Sequence, residues 1–377
     1  MTYQLNEEQR LIIETVKRIT KEKIVPLMEE IESKAEFPWG IHKILLENGF
    51  LGLSLPKEYG GGGLDLPTYC MVAEELANFC YSATFWYNDL PIEPTLVAGT
   101  PEQKEKYLPR MARGEMLASI AITEPGAGSD VAGLTTRAIL DGDEYVINGA
   151  KCFISLADDA EIIHVLVKTD PSKGTKGMSF LIVERGTPGF SVGKVEKKMG
   201  VDNLHACELT FEDCRVPRSN LVGKEGQGFS IAMTCLDPGR IIVASQGVGI
   251  AQGALDYAIG YAKQRNQFGK PISEFQGIQF MMADMATEIE ASRQLVHRAA
   301  CAEHEGEKDK SKLAAMAKYF STDTCMRVTT DAVQILGGYG YMKDYPLERM
   351  MREAKFLQIY EGTNQIQRIV VARFLLT

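Results

Sequence analysis

The sequence predicts an α+β fold in three parts: an N-terminal helical domain over residues 1–120, a middle antiparallel β domain over 121–224, and a C-terminal four-helix bundle over 225–377. Three observations predict it. Apolar residues recur at spacings of three and four through the first part, the periodicity of a helix with one buried face. The middle part changes to short runs rich in Val, Ile, Phe and Thr, separated by turn residues. The last part returns to long segments that are apolar on broad faces, as bundle helices are.

The elements follow in order. LNEEQRLIIETVKRITKEKIVPLMEEIE and IHKILLENG read as helices, with Gly49 stopping the second. PKEYGGGG is a loop, because consecutive glycines favour neither helix nor strand. PTYCMVAEELANFC resumes a helix with Pro67 in its first turn, and PEQKEKYLPRMARG gives a short helix and a turn. EYVINGAKCFIS, EIIHVLVKT, MSFLIVE and ACELTFEDCRV are the strands, and DGDEY, DPSKGTKG and ERGTPGF turn the chain between them. Beyond residue 225 come three long helical segments. In the first only Pro238 and the glycines act as breakers, and Gly247, Gly249, Ala251 and Gly253 permit close helix contact.

Composition narrows the function. Of 377 residues, 45% are hydrophobic and 24% charged, an ordinary globular balance. The formal charge of -9, from 50 acidic and 41 basic residues, disfavours a broad nucleic-acid surface. No apolar run is long enough to cross a bilayer, and MTYQLNEEQR does not read as a secretory signal, so the expected compartment is the cytoplasm. The eight cysteines form no CxxC pair and the five histidines no HExxH, so no metal is expected. Neither GxGxxG between strand and helix nor a Walker A sequence occurs, which leaves a Rossmann or P-loop site unsupported.

Several segments have the composition of binding sites. AITEPGAGSD ends a strand and supplies Thr123, Ser129 and two glycines; its backbone amides suit an anion nest, or the segment is a tight domain junction. KCFIS puts Phe153 and Ser155 two residues apart, on one side of a strand. RNQFGKPISEFQ sets Arg265, Phe268 and Lys270 between two long helices, either as a pyrophosphate clamp with a stacking ring or as a solvated turn. DAVQILGGYGY carries Gln334 in an apolar helix, then Gly337 and Gly338. Finally, IYEGTNQIQR places Glu361 directly before Gly362, which a surface glutamate would not need.

Together AITEPGAGSDVAG, INGAKCFIS, FEDCRVP, RNQFGKPISEFQ, QILGGYGY and IYEGTNQIQR resemble the acyl-CoA dehydrogenase family, in its order and spacing across nearly the whole chain. The resemblance implies an FAD enzyme that removes the α-proton of an acyl-CoA thioester while the β-hydride leaves for flavin N5. It implies that Glu361 is the base, with its backbone N–H on the thioester carbonyl beside a ribityl hydroxyl, stabilising the enolate-like charge. Desolvation by the acyl chain is expected to raise the pKa of Glu361 toward its task. Also by resemblance, Thr123, Phe153 and Ser155 meet the flavin ring, and Thr363, Gln365 and Gly338 the cofactor. Ser129 meets the cofactor or the CoA pyrophosphate region. Arg265, Phe268 and Gln334 reach the FAD of a neighbouring subunit in a homotetramer built as a dimer of dimers. Arg240 lies near the CoA pantetheine, and Gly362 gives room beneath the flavin. Many relatives have tryptophan where this chain has Phe153. Some carry the base just before the arginine matching Arg240; this chain has Gly239 there.

The resemblance also implies an electron-transfer flavoprotein as acceptor and a short-chain or cyclic acyl-CoA as substrate. CYSATFWYNDLPIE, read as a helix over 80–93, is expected to line the acyl pocket. Its Phe85, Trp86 and Tyr87 would shorten or flatten that pocket, or else two of the three pack into the helical core; Asp89 is either a second base for a cyclohexane- or cyclohexene-carboxyl-CoA, or a helix cap before Pro91 or the partner of a surface base. A flavin oxidase or monooxygenase of the same fold is the alternative activity.

Overall fold

The computed structural model describes residues 6–84 and 90–376. The polar sequence at residues 6–9 starts α1 (Glu7–Ile19) with a capping box: Asn6 Oδ1 accepts from the Gln9 amide while the Gln9 side chain accepts from the Asn6 amide. α2 (Met28–Lys34) and α3 (Trp39–Glu47) follow, and Gly49 turns left-handed at φ 74° just past the end of α3. Next come α4 (Leu66–Thr84), α5 (Glu93–Ala98) and α6 (Pro101–Ala112). α6 opens on a Thr100–Gln103 capping box, and Gln103 also donates to the carbonyls of Ser219 and Leu221, tying the helical region to the end of the β region.

The expected helix over 80–93 is not continuous. Cys80 leaves the helical region of backbone space at φ -140°, ψ 49°, and residues 90–92 form a turn before α5. Pro91 disfavours helical backbone at Leu90 before it, and Pro94 is accepted in the first turn of α5. Phe85, Trp86, Tyr87, Asn88 and Asp89 lie outside the described residues, and so do the roles expected of them.

The middle region holds β1 (Ala118–Ala121), β2 (Arg137–Asp141), β3 (Glu144–Ser155), β4 (Ile162–Lys168), β5 (Met178–Glu184), β6 (Phe190–Val195), β7 (Ala206–Pro217) and β8 (Leu221–Val222). Their order is β6-β7-β3-β2-β4-β5-β8, with β1 on β4. The sheet is mixed rather than antiparallel throughout, because β1 and β2 both pair with β4 in parallel. The chain leaves β2 through a hairpin to β3 and returns to β4, so β2 and β4 run the same way. β4 and β5 are buried over six consecutive residues each, which fits central strands covered on both faces. Short β1, β2, β6 and β8 gave too few residues to stand out from the loops around them.

The C-terminal region runs α7 (Gly228–Gln264), a two-stranded hairpin of β9 (Asn266–Gln267) and β10 (Lys270–Pro271), α8 (Gln276–His304), α9 (Lys310–Leu336), α10 (Pro346–Leu357) and α11 (Asn364–Leu376). Pro238 does not stop α7. Its neighbours Asp237, Gly239, Arg240 and Ile241 are all buried, so packing carries the helix through the missing donor. Two α7 glycines set the approach of α4: a Cβ at Gly249 would lie 2.1 Å from the Glu74 carbonyl oxygen, and one at Gly253 1.7 Å from that of Asn78. One apolar core therefore joins α4 to the bundle through Val72, Ala73, Leu76, Ala77, Ile250, Ala251 and Ala254.

Candidate functional site

The link between α10 and α11 answers why a carboxylate precedes a glycine. Glu361 and Gly362 are consecutive left-handed residues, at φ 53° and 90°. Such backbone strains any residue with a Cβ and is held only where its surroundings over-determine it. Here they do. The Glu361 carbonyl accepts from Gln367 Nε2 at 3.2 Å and from Arg240 Nε at 3.4 Å. The Gly362 carbonyl accepts from Gln367 Nε2 at 3.0 Å and from Lys318 Nζ at 2.9 Å. A Cβ at Gly362 would meet Gln367 Nε2 at 2.8 Å, so a side chain there would press on the amide that bonds both carbonyls.

The Glu361 side chain reaches α7. A Cβ at Gly239 would stand 2.5 Å from Glu361 Oε2, so the carboxylate fills the space that Gly239 leaves vacant. A glutamate at position 239 would compete for that same space, so only one of the two carboxylates could stand there. Arg240 is buried and bonded to Asp237 Oδ1 at 2.9 Å, and Asp237 in turn accepts from Ser311 on α9. On the N-terminal side of Glu361, Tyr360 stacks on Phe356 with ring centroids 4.3 Å apart. Its hydroxyl bonds Gln246 at 3.2 Å and Tyr81 at 3.1 Å, which joins the turn to α7 and α4. Burial pushes both phenols well above their usual range, so they stay neutral hydrogen-bonding groups.

A second group forms on the sheet. Phe153 sits at a register shift in β3 with φ 58°, and 64% of its surface is exposed. The Cys152 amide donates to Thr123 O at 3.0 Å, bringing the TEPGAGSD loop beside Phe153 and Ser155. A buried ion pair fixes that loop. Lys151 Nζ lies 2.8 Å from Glu124 Oε1 and 3.1 Å from the Ile122 carbonyl oxygen. Glu124 also accepts from the amides of Thr135 and Thr136 and the Thr135 hydroxyl. Burial works against the Glu124 charge, but Lys151 and these donors outweigh it and hold the carboxyl at about 2. Ser129 is exposed farther along the loop, and Gly126 and Gly128 face open space where a Cβ would stand.

A third group surrounds the β9–β10 hairpin. Phe268, at φ 52°, is 94% exposed. Arg265 lies over the Tyr339 ring at 5.5 Å, and Gln334 is exposed on the last turn of α9. Nothing stands within 4 Å of a Cβ built on Gly337 or Gly338. Gln365 is exposed, while Thr363 Oγ1 accepts from the Ile366 amide at 3.3 Å.

Left-handed aromatics without cover and glycine cradles open to solvent fit a large flat cofactor with a phosphate linker. Phe153 and Phe268, with the open glycines Gly126, Gly128, Gly337 and Gly338, give the kind of surface that FAD would need. Lys318, Gln367, Asn364 and the Lys151–Glu124 pair were missed in the sequence. A lone lysine inside the apolar run AAMAKYF, and one beside a strand phenylalanine in KCFIS, were the available signals. A cavity of 1360 Å³ opens elsewhere, between α1, α4, α7, α8 and α10, lined by Glu74, Asn78, Gln252, Arg293 and Arg349; Glu361 does not border it. Among the described residues one cluster, Asp158, Asp159 and His205, has metal-ligand character, but the His205 nitrogens are engaged by Asp158 and the Ala35 carbonyl. No helix of the described residues is long and apolar enough to cross a membrane.

Three family models match this chain: "Acyl-CoA dehydrogenase, N-terminal domain" over residues 6–115, "Acyl-CoA dehydrogenase, middle domain" over 119–214, and "Acyl-CoA dehydrogenase, C-terminal domain" over 226–376. Cyclohex-1-ene-1-carbonyl-CoA dehydrogenase of Syntrophus aciditrophicus is 48% identical over 376 residues, covering 99% of this chain and 91% of that protein. The structure of butyryl-CoA dehydrogenase from Megasphaera elsdenii is 42% identical and superposes with a TM-score of 0.96 over 100% of both chains. A chain solved in work on the electron transferring flavoprotein of Acidaminococcus fermentans and flavin-based electron bifurcation is 48% identical, with a TM-score of 0.96 over 100% of both chains.

Proposed function

We propose, from the chain's membership of the acyl-CoA dehydrogenase family, that this FAD-dependent enzyme dehydrogenates a short-chain or cyclic acyl-CoA between its α and β carbons, with Glu361 as the base. The observation that carries the assignment is the clamped left-handed turn that delivers the Glu361 carboxylate into the gap at Gly239. A carboxylate so held meets the orientation requirement of a proton-transfer group. As the α C–H bond breaks, its proton goes to Glu361 and its electron pair forms the new double bond. FAD, when bound, supplies the acceptor for the β-hydride. The Glu361 backbone N–H, in a turn whose Glu361 and Gly362 carbonyls are both hydrogen-bonded, is the donor for the developing thioester oxyanion.

The names of the relatives support the substrate class, one acting on a cyclohexene carboxyl thioester and one on butyryl-CoA. An electron-transfer flavoprotein is the proposed acceptor, supported by the relative solved in the study of such a flavoprotein. We further propose a homotetramer in which Arg265, Phe268 and Gln334 complete a neighbour's FAD site, because Phe268 projects almost fully into solvent at a strained φ. Anaerobic bleaching of the bound flavin by straight, branched, dicarboxylic and cyclic acyl-CoAs tests the reading. Bleaching by butyryl-CoA or a cyclohexane- or cyclohexene-carboxyl-CoA, with slow reoxidation in air, is expected. Fast turnover with oxygen would favour an oxidase or monooxygenase instead.

A further inference from the structure

His205 stands immediately before β7, whose Ala206 and Cys207 pair with Ser155 and Ile154 at the end of β3. Its two ring nitrogens face two different parts of the molecule. Nδ1 meets the Asp158 carboxylate, in the turn that follows Ser155, and Nε2 lies 3.0 Å from the Ala35 carbonyl oxygen, where α2 ends. An ionised carboxylate and a backbone carbonyl can only accept. A neutral imidazole carries one N–H and satisfies one of them; the imidazolium donates to both. The two ends so joined are strained. Ala35 is left-handed at φ 50°, and so are Phe153 and Leu156, at φ 58° and 59°, close on either side of Ser155. Such backbone persists where its neighbours over-determine it. The His205 carbonyl contributes by accepting from the Leu156 amide at 2.9 Å, and Arg185 by donating to the carbonyls of Ala157 at 3.4 Å and Ala160 at 2.9 Å.

We propose that His205, as an imidazolium, is a positioning residue for the cofactor: it ties the end of α2 to the turn after β3 and so holds the Phe153–Ser155 segment in the shape that receives the flavin ring. The inference rests on the reading of that segment as the ring site. His205 acts through Asp158, not on the reacting atoms. Burial works against the imidazolium, but the Asp158 carboxylate and the Ala35 carbonyl outweigh it and hold the group above its ordinary 6.5. The other charged and titratable groups around the pair are Asp159 in the same turn, Arg185 after β5, Lys198 and Asp202 before β7, Cys207 within it, and Lys34 and Glu36 beside Ala35. Arg185 is spent on backbone carbonyls, and burial pushes Cys207 up to about 12, so it stays a neutral thiol. Burial pushes Lys198 down to about 8. His205 and Lys198 act with opposite signs. A raised histidine pKa gives stability that is complete below 6.5 and lost as pH rises through the raised value; a lowered lysine pKa gives stability that grows as pH rises from about 8 toward 10.5.

The assay follows FAD release from the diluted holoprotein by flavin fluorescence, beside a thermal melt of the same sample, each against pH. In the parent, release should quicken about 3- to 10-fold as pH rises from 6.5 through the His205 titration, the range for one partly exposed charge-assisted hydrogen bond, and the melting temperature should fall in step. His205→Gln keeps a donor but has no proton to lose. Both readouts should then lack that step, with release near the parent's alkaline rate throughout. Asp158→Asn keeps the shape of the partner without its charge and should move the step to lower pH. A parent without the step, or His205→Gln with the step intact, would overturn the proposal. If the glutamine variant does not accumulate, an unmoved step in Asp158→Asn overturns it. A step in the melt with none in FAD release also overturns it, because the pair would then be a structural link alone. Phe153→Ala measured alongside keeps the failures apart: if it releases FAD at the parent rate, the ring-site reading falls; if it releases FAD faster while His205→Gln keeps the step, only the role of His205 falls.

Discussion

Gly239→Ala adds one methyl group on the face of α7 that meets the Glu361 carboxylate. That Cβ would lie 2.5 Å from Glu361 Oε2, 3.3 Å from Oε1 and 3.2 Å from Cδ. A carbon and an oxygen in contact sit about 3.3 Å apart, so the carboxylate must retreat by about 0.8 Å. Misplacement of about 1 Å costs about 100-fold, so flavin reduction should slow by about 30- to 100-fold, or about 2–3 kcal/mol of barrier. The fold should not suffer. Gly239 is helical, and alanine is the better helix former by about 1 kcal/mol. The assay is rapid-mixing flavin reduction by a saturating acyl-CoA, beside a thermal melt of the same FAD-loaded sample. Gly247→Ala, whose Cβ meets only ordinary contacts at 3.5 Å and beyond, is the control and should keep the parent rate with a melt at or slightly above the parent's. Parent-rate reduction in Gly239→Ala would refute the placement of the carboxylate; a large melting loss paired with the lost rate would refute the argument that only the base was displaced.

Three further outcomes are expected. Gly253→Ala drives a methyl group to 1.7 Å from the Asn78 carbonyl oxygen, so α4 and α7 must separate; the melting temperature should fall by several degrees, corresponding to about 1–3 kcal/mol of overpacking. Lys151→Met strands Glu124 beneath the Thr123 loop, which should cost about 3–5 kcal/mol and weaken FAD retention on dilution. The Glu124 pKa of about 2 lies below its ordinary 4.5, so this carboxylate contributes stability above pH 4.5 that is lost as pH falls toward 2; pH-dependent melts should show a shallower acid loss in Lys151→Met. Phe268→Ala, at the exposed hairpin tip, should raise the protein concentration needed for both assembly and FAD retention in sedimentation, and a stable FAD-loaded monomer of the parent would contradict the shared site.

Much of this was legible in the sequence, for physical reasons that differ by segment. The long helices announced themselves by periodicity, and β3, β4, β5 and β7 by runs of branched and aromatic residues. The parallel pairing of β1 and β2 with β4 was hidden, because register and direction depend on partners far along the chain. Pro238 misled as a stop signal, since burial of its neighbours overrides local propensity. At the site, Glu361 and Gly239 stood out through their motifs. The residues that hold them did not: Lys318, Asn364 and Gln367 act through backbone carbonyls, and a carbonyl acceptor leaves no trace in a sequence. Lys151 looked like an ordinary strand residue until Glu124, 27 residues away, came to face it.

The most direct test of the central claim is single-turnover flavin reduction in Glu361→Gln, which keeps the shape of the side chain and removes the basic carboxylate. With FAD still bound and butyryl-CoA or a cyclohexene-carboxyl-CoA mixed in without oxygen, reduction should slow by about 100-fold or more, within the range for loss of a proton-transfer group. Reduction at the parent rate would contradict the assignment of Glu361 as the base.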